Sequence, residues 1–297
     1  MSSYNLVKTI LVPVPLSPDF SVPLQQALYF HEVYGSEIIL MNVVDDFVLF
    51  PGIVNHKKRK RHNRKAKVKL EEMIKGYFKG NIPEHVVLRV ETGKLISTIL
   101  KIAGQLKCDL IIIKKAERIR KRFHLLKAEN ADKLIAEAVC PVLTIIDKPT
   151  EDGIRNILMP VDIFKKTSNK VAWSISLAKK FKATLHVISV LNIDIDVKDS
   201  LAYNKCKRIE ATIKKKGIEV NTVILNAAGK PPEEAVLNFM ADLMPDMIMI
   251  MTHQESILFD NYLGSFAREI IHRSPVPVFS VVPCKETVLD RFMSRTV

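Results

Sequence analysis

The stretch Asn156-Ile-Leu-Met-Pro-Val161 repeats an earlier stretch of the same chain, Thr9-Ile-Leu-Val-Pro-Val14, at an offset of 147 residues. Both stretches are short, and both place Ile, Leu and Val or Met at consecutive positions. Such a run is typical of a strand in a sheet that is buried on both faces. The repeat therefore predicts a buried strand near the start of each of two related units.

Three further pairs of stretches match in the same order, at offsets of 136 or 137 residues. They are Thr92-Gly-Lys94 with Ala228-Gly-Lys230, Cys108-Asp-Leu-Ile-Ile-Ile113 with Pro245-Asp-Met-Ile-Met-Ile250, and Cys140-Pro-Val-Leu-Thr-Ile145 with Val276-Pro-Val-Phe-Ser-Val281. Because the offset drops from 147 to 137 residues, the first copy holds extra residues near its middle. The sequence predicts a duplicated domain, with copies at 1–149 and 150–297.

Each copy alternates predicted strands with predicted helices. In the first copy the strands are 6–14, 37–44, 85–91, 109–113 and 141–146, and the helices are 19–34, 55–78, 94–106 and 128–138. In the second copy the strands are 154–161, 184–190, 219–226, 247–251 and 277–282, and the helices are 168–181, 198–216, 232–243 and 262–272. This alternation predicts an α/β fold: two tandem three-layer domains, each with a five-stranded, mainly parallel sheet. Ligands of such sheets bind at the carboxyl ends of the strands, near a switch point.

The composition excludes a disordered or fibrous protein, since 47% of the 297 residues are apolar and 26% are charged. Lys and Arg exceed Asp and Glu by 45 to 32, a net charge of +13. Nine of the cations lie in the tract 57–69, which contains no acidic residue. This tract, an insertion at 56–69, predicts a contact with a polyanion, although it also fits a solvated start of the second helix. The predicted contact residues are Lys57, Lys58, Arg59, Lys60, Arg61, Arg64 and Lys65.

The four cysteines are scattered without CxxC spacing, and the eight histidines form no cluster typical of a metal site. This pattern argues against a disulfide framework or zinc, and it favours a reducing compartment. No apolar run reaches the length of a membrane span, and the first residues lack the layout of a signal peptide. We therefore expect a cytoplasmic protein without a metal. The sequence contains no GxSxG, P-loop or HExxH motif, so we expect no catalytic residues.

The order of short motifs in both copies resembles the universal stress protein family, in its tandem two-domain form. The second copy carries the resemblance most fully, in Ile157 to Asp162, His186-Val187-Ile188, Gly229-Lys-Pro231, Pro245-Asp246, Leu263-Gly-Ser265 and Pro277-Val278. The resemblance implies a fold similar to the adenine nucleotide alpha hydrolases. It also implies that 141–146 and 277–282 pair around a pseudo-twofold axis, as an intramolecular domain pair, with further dimerisation open.

Some family members bind ATP, so the resemblance implies ATP or ADP as a ligand of the second copy. Glycine-rich backbone and a helix N-terminus are suited to phosphate, and an Asp after the first strand can accept from adenine or ribose. The implied nucleotide-binding residues are Pro160, Val161, Asp162, Val187, Met251, Thr252, His253, Gln254, Gly264, Ser265 and Phe266.

Both copies depart from the pattern of the ATP-binding members. In the second copy, Thr252 and Glu255 stand where two loop glycines belong. In the first, Pro15 replaces the Asp, and Ala128-Glu129 stands at the Gly-Ser position. The Gly264-Ser265 pair then fits either half of a nucleotide site or an ordinary helix cap.

We therefore expect a binding and signalling module of the stress response, with a partial nucleotide site in the second copy. Two alternatives stay open. One is an interaction protein that binds polyanions through its basic tract without binding nucleotide. The other is a slow nucleotide hydrolase with Glu255 as its base.

Overall fold

The computed structural model describes residues 6–45, 48–50, 53–54, 56–115, 128–146, 153–162, 167–191, 201–252 and 263–282. The chain divides into two compact units, Met1–Pro149 and Thr150–Val297. Each unit has an open sheet of five parallel strands connected through helices, which confirms the predicted α/β class.

The sheet of the first unit has the strand order β7-β6-β1-β2-β5, and every neighbouring pair is parallel. The strands are β1 (Thr9–Pro13), β2 (Glu37–Val44), β5 (Val86–Thr92), β6 (Leu110–Lys114) and β7 (Val142–Ile145). The helices are α1 (Ser21–Tyr34), preceded by a 3-10 turn at Pro18–Phe20, α2 (His56–Tyr77), α3 (Leu95–Gln105) and α4 (Ala128–Glu137).

A short antiparallel hairpin of β3 (Val48–Phe50) and β4 (Ile53–Val54) follows β2. The sequence analysis did not predict this hairpin, because strands of two or three residues are too short to show a period. The dipeptide Pro51-Gly52, which separates the two strands in the sequence, is the signal that the sequence offers. Helix α2, at 22 residues against 14 in the matching helix α6 (Leu201–Lys214), accounts for most of the extra length of the first copy.

The sheet of the second unit has the same arrangement, with the strand order β10-β9-β8-β11-β12 and parallel neighbours throughout. The strands are β8 (Asn156–Pro160), β9 (Thr184–Leu191), β10 (Val220–Asn226), β11 (Met247–Met251) and β12 (Val278–Val281). The other helices are α5 (Ser168–Phe181), α7 (Pro232–Leu243) and α8 (Ser265–Arg273).

The central strands are buried on both faces, as the consecutive apolar residues predicted. Leu11 and Val12 in β1 have no exposed surface, and neither have Leu158 and Met159 in β8. Neighbouring residues of a strand point to opposite faces, so helices must cover both sides of each sheet.

A carboxylate joins the first and fourth strands of each unit at their amino ends. One oxygen of Asp109 accepts from the backbone N–H groups of Lys8 and Thr9, at 2.9 and 3.0 Å. In the second unit, one oxygen of Asp246 accepts from the backbone N–H groups of Arg155 and Asn156, both at 2.8 Å. The repeated Asp of the matched stretches therefore has a structural role, which we call the carboxylate clamp.

We expect Asp246→Ala to lower the free energy of unfolding by about 2 kcal/mol, because two hydrogen bonds to a charged acceptor are lost. Urea unfolding followed by circular dichroism measures this change. Asp242→Ala is the matched control, since Asp242 is an exposed acid of α7, and its effect should stay within about 0.5 kcal/mol. An equal loss in both variants would contradict the role of the clamp.

Two histidines of the first unit stack face to face at the end of α1 and the start of β5. The ring centroids of His31 and His85 are 3.5 Å apart, with the planes 10° from parallel. Nδ1 of His31 lies 2.6 Å from the carbonyl oxygen of Ser36. Within the described residues, Nε2 of His85 is buried without a hydrogen-bond partner. Burial, and then the nearby His31, lower the pKa of His85 below its usual value.

We expect the first unit to lose stability as the pH falls through about 6.5, the ordinary pKa of histidine. The lowered pKa means that the folded state binds fewer protons there than the unfolded chain. In the His85→Gln variant, the free energy of unfolding should fall less steeply between pH 7.5 and 5.5, as measured by the midpoints of urea unfolding. His272→Gln, a histidine variant in the other unit, is the control. The same decline in wild type and His85→Gln would contradict this account.

Candidate functional site

The topology of the second unit places a switch point between β8 and β11. From β8 the chain crosses outward to β9 and β10 on one side, and it then returns through α7 to β11 and β12 on the other. At such a point the crossover connections diverge and leave a crevice at the carboxyl ends of the strands. Of the predicted nucleotide residues that the structure describes, Asp162 follows β8 and Thr252 follows β11 at this edge.

The end of β8 is fixed by hydrogen bonds to β9. The N–H of Val161 donates to the carbonyl of Ile188 at 2.7 Å, and the carbonyl of Val161 accepts from Oγ of Ser189 at 2.9 Å. Pro160 and Val161 are buried, whereas Asp162, the next residue, is exposed. The backbone thus presents the Asp162 side chain at the rim of the crevice.

A nearly buried lysine lies directly beside this strand end. Lys170, in the first turn of α5, has 7% of its surface exposed, and its ammonium donates to the carbonyl of Pro160. A cation in the first turn of a helix is opposed by the macrodipole, and its burial costs further free energy. The sequence analysis missed Lys170, although a lysine so close to a helix N-terminus was a signal that it could have used.

A second lysine, Lys205 of α6, reaches the same strand end. Its ammonium donates to the carbonyl of Asp162 at 3.0 Å. Neighbouring lysines of α6 contact Glu210 instead, with Lys214 at 2.7 Å and Lys207 at 2.9 Å. These two hydrogen bonds, that of Lys214 first, lower the pKa of Glu210 to about 2. Two ammonium groups, from different helices, therefore meet the carbonyl end of β8.

The start of α8 forms another side of the crevice. Gly264 is the N-cap, Ser265 is the first helical residue and exposed, and Phe266 is half-buried. The first turn of α8 contains no acidic residue. The first N–H groups of a helix have no partner within the helix, so they can donate to an anion.

Two predicted site residues have no exposed surface. Thr252 is fully buried, and its N–H donates to the carbonyl of Val281 at 3.0 Å, while Met251 before it is half-buried. Val187 pairs with Met159, one position before the end of β8, and has no exposed surface. His253, Gln254 and Glu255 lie outside the described residues.

The corresponding edge of the first unit has the same backbone pattern but different side chains. The N–H of Val14 donates to the carbonyl of Met41 at 2.9 Å, and the carbonyl of Val14 accepts from Nδ2 of Asn42 at 2.9 Å. At the offset that relates the first strands, Pro23 stands where the second unit has Lys170. The first unit therefore lacks the nearly buried cation of the second.

The thiols and the metal candidates give no further site in the described residues. Cys108, Cys140 and Cys206 are free and buried. Burial raises the pKa of Cys108 and of Cys206 to about 11. Within the described part of the chain, no group of three or more His, Cys, Asp or Glu could hold a metal ion. Among the same residues, none of the helices combines the length and apolarity that a bilayer crossing requires.

Comparison with protein families gives a match to the model of the Universal stress protein family over residues 7–145 and again over 153–281. A search of curated proteins gives no match. A universal stress protein from Archaeoglobus fulgidus DSM 4304 has a similar structure, with a TM-score of 0.69 at 19% identity over 96% of this chain and 100% of that one.

Two more solved structures are similar. A protein of Pseudomonas aeruginosa UCBPP-PA14, described as of universal stress protein type, has a TM-score of 0.62 at 18% identity over 95% of both chains. A universal stress protein from Archaeoglobus fulgidus was solved in complex with dAMP. It matches 43% of this chain and 97% of its own, with a TM-score of 0.35 at 22% identity.

Proposed function

The chain belongs to the universal stress protein family, and we propose that it is a binding and signalling module of the stress response whose second unit binds ATP or ADP. The proposed site is the crevice at the switch point, between the end of β8 and the start of α8. The first unit keeps the fold, and we assign it a structural role.

The observation that carries the proposal is the positive charge of Lys170 and Lys205 at this edge. The surroundings of Lys170 oppose its charge, because the side chain is 7% exposed and lies in the first turn of a helix. A neutral side chain of similar length would avoid both costs. The retention of an ammonium here, at the edge where ligands of such sheets bind, is explained if an anion occupies the crevice.

The start of α8 supplies a second group of donors for the phosphates. The amides of Gly264, Ser265 and Phe266 point out of the helix N-terminus, and no carboxylate of the first turn competes for them. In the first unit, Glu129 stands at the second position of α4 and would repel a phosphate. This difference supports the second unit as the binding unit.

The nucleoside would lie against the end of β8. Asp162 is exposed and could accept from the adenine amino group or the ribose, with Pro160 and Val161 beneath it. Thr252 is buried and occupies a position where ATP-binding relatives have a glycine. We therefore infer that phosphate binding here relies on the ammonium groups more than on the backbone of a glycine-rich loop.

We expect Lys170→Met to weaken ATP binding by about 10- to 100-fold, because one charge-assisted hydrogen bond to phosphate is lost. Gly264→Asp should weaken it at least as much, since it places a carboxylate at the start of α8. Isothermal titration of the full chain with ATP and with adenosine measures both effects. Adenosine affinity should change by less than about 3-fold in Lys170→Met, a shift of under 1 kcal/mol.

Lys179→Met is the matched control, because Lys179 is an exposed lysine near the other end of α5. Its ATP affinity should equal that of the wild type, and thermal unfolding should show that all variants are folded. Absence of ATP and ADP binding at millimolar concentration would overturn the proposal. An affinity that survives both Lys170→Met and Gly264→Asp would overturn the site.

A further inference from the structure

A separate feature of the first unit, which does not depend on the nucleotide site, is a row of cations along α2. Six exposed Lys and Arg side chains lie between residues 60 and 69 of this helix, and no acidic residue occurs between them. Lys67 is one of the six, and we call the other five the cationic face of α2: Lys60, Arg61, Arg64, Lys65 and Lys69.

The opposite side of α2 is occupied by the fold. Ala66 has 6% of its surface exposed, and Leu70 and Ile74 have none, because the helix packs on β2 and β5. These residues, spaced four apart, form one stripe along the helix. The packing therefore holds the cationic face toward solvent, and the apolar stripe is not available to enter a lipid bilayer.

The cations of this face have no acidic partner within the described residues. The ion pair on α2 joins Lys75 to Glu71 at 2.7 Å, one turn beyond the face. Like charges four residues apart, as in Lys60 with Arg64 and Arg61 with Lys65, each destabilise a helix by about 0.2–0.5 kcal/mol. The fold gains nothing from this repulsion, so the row is better explained by an external anion that relieves it.

The length and composition of the face identify the kind of anion. Residues 60 to 69 span about 14 Å of helix axis, and about 14 Å of duplex carries about eight phosphates. The helix has no Phe, Tyr or Trp before Tyr77, so it lacks the large aromatic rings on which single-stranded bases stack best. Val68 is the exposed large apolar residue of α2, at 50%, which is too little for insertion into a membrane.

We propose that the cationic face of α2 binds the phosphate backbone of double-stranded nucleic acid without sequence preference. The fixed helix presents Arg and Lys side chains to successive phosphates, and binding releases counterions from the duplex. Glu72, which follows the face by one turn, limits the contact to the first part of the helix.

The test is fluorescence anisotropy of a labelled 20-base-pair DNA duplex with the full chain, between 50 and 200 mM salt. The triple variant Arg61→Gln, Arg64→Gln, Lys65→Gln should bind at least about 10-fold more weakly at 50 mM. Its slope of log affinity against log salt should be shallower by about 3, since three phosphate contacts are lost. Two duplexes of unrelated sequence should bind equally.

The control variant Lys215→Gln, Lys216→Gln, Lys230→Gln removes the same charge from exposed positions of the second unit, and it should bind the duplex within about 3-fold of the wild type. An equal loss of duplex affinity in both variants would overturn the proposal, because it would show that only the net charge of the chain matters and not the position of the cations. Tighter binding to vesicles of 30% phosphatidylserine in phosphatidylcholine, or to a single strand of the same length, would also overturn it.

Discussion

The carboxylate clamp is the constraint on which the site depends. Asp246, next to β11, accepts from Arg155 and from Asn156 at the start of β8, although 90 residues separate Asn156 from Asp246 in sequence. No short loop sets the register of two strands so far apart in the chain, so the register depends on their apolar pattern and on bonds such as these at the amino end. The register of β8 against β11 decides where the two strands end, and therefore where the crevice between Asp162 and Thr252 lies. Asp109 does the same in the first unit.

Most of the fold could be predicted because its strands are buried on both faces. A run such as Ile248 to Ile250 has no exposed residue, and this constraint leaves a continuous apolar run in the sequence. Helices α5 and α7 begin and end at the predicted residues, since one face of each is apolar. The hairpin of β3 and β4 could not be found this way, because short strands leave no period.

Some residues of the candidate site could be predicted from local sequence, and others come together only in the tertiary structure. Asp162 and Gly264-Ser265 could be predicted as site residues because they stand directly beside a strand end or a helix start, where motif spacing is preserved. Lys170 and Lys205 could not be assigned, since they lie on different helices and meet only at the carbonyls of Pro160 and Asp162. The burial of Thr252 also follows from a tertiary contact, its hydrogen bonds to Val281 on the neighbouring strand.

The two copies have placed their positive charge in physically different settings. In the second, Lys170 is almost fully buried, so its charge is little screened by salt. In the first, Arg61 and Arg64 project into solvent, where salt screens each charge and binding strength requires several contacts together. A buried charge suits a small ligand held in a crevice, and a row of exposed charges suits an extended one. Duplication has therefore placed a nearly buried cation and a row of exposed cations on two copies of one fold.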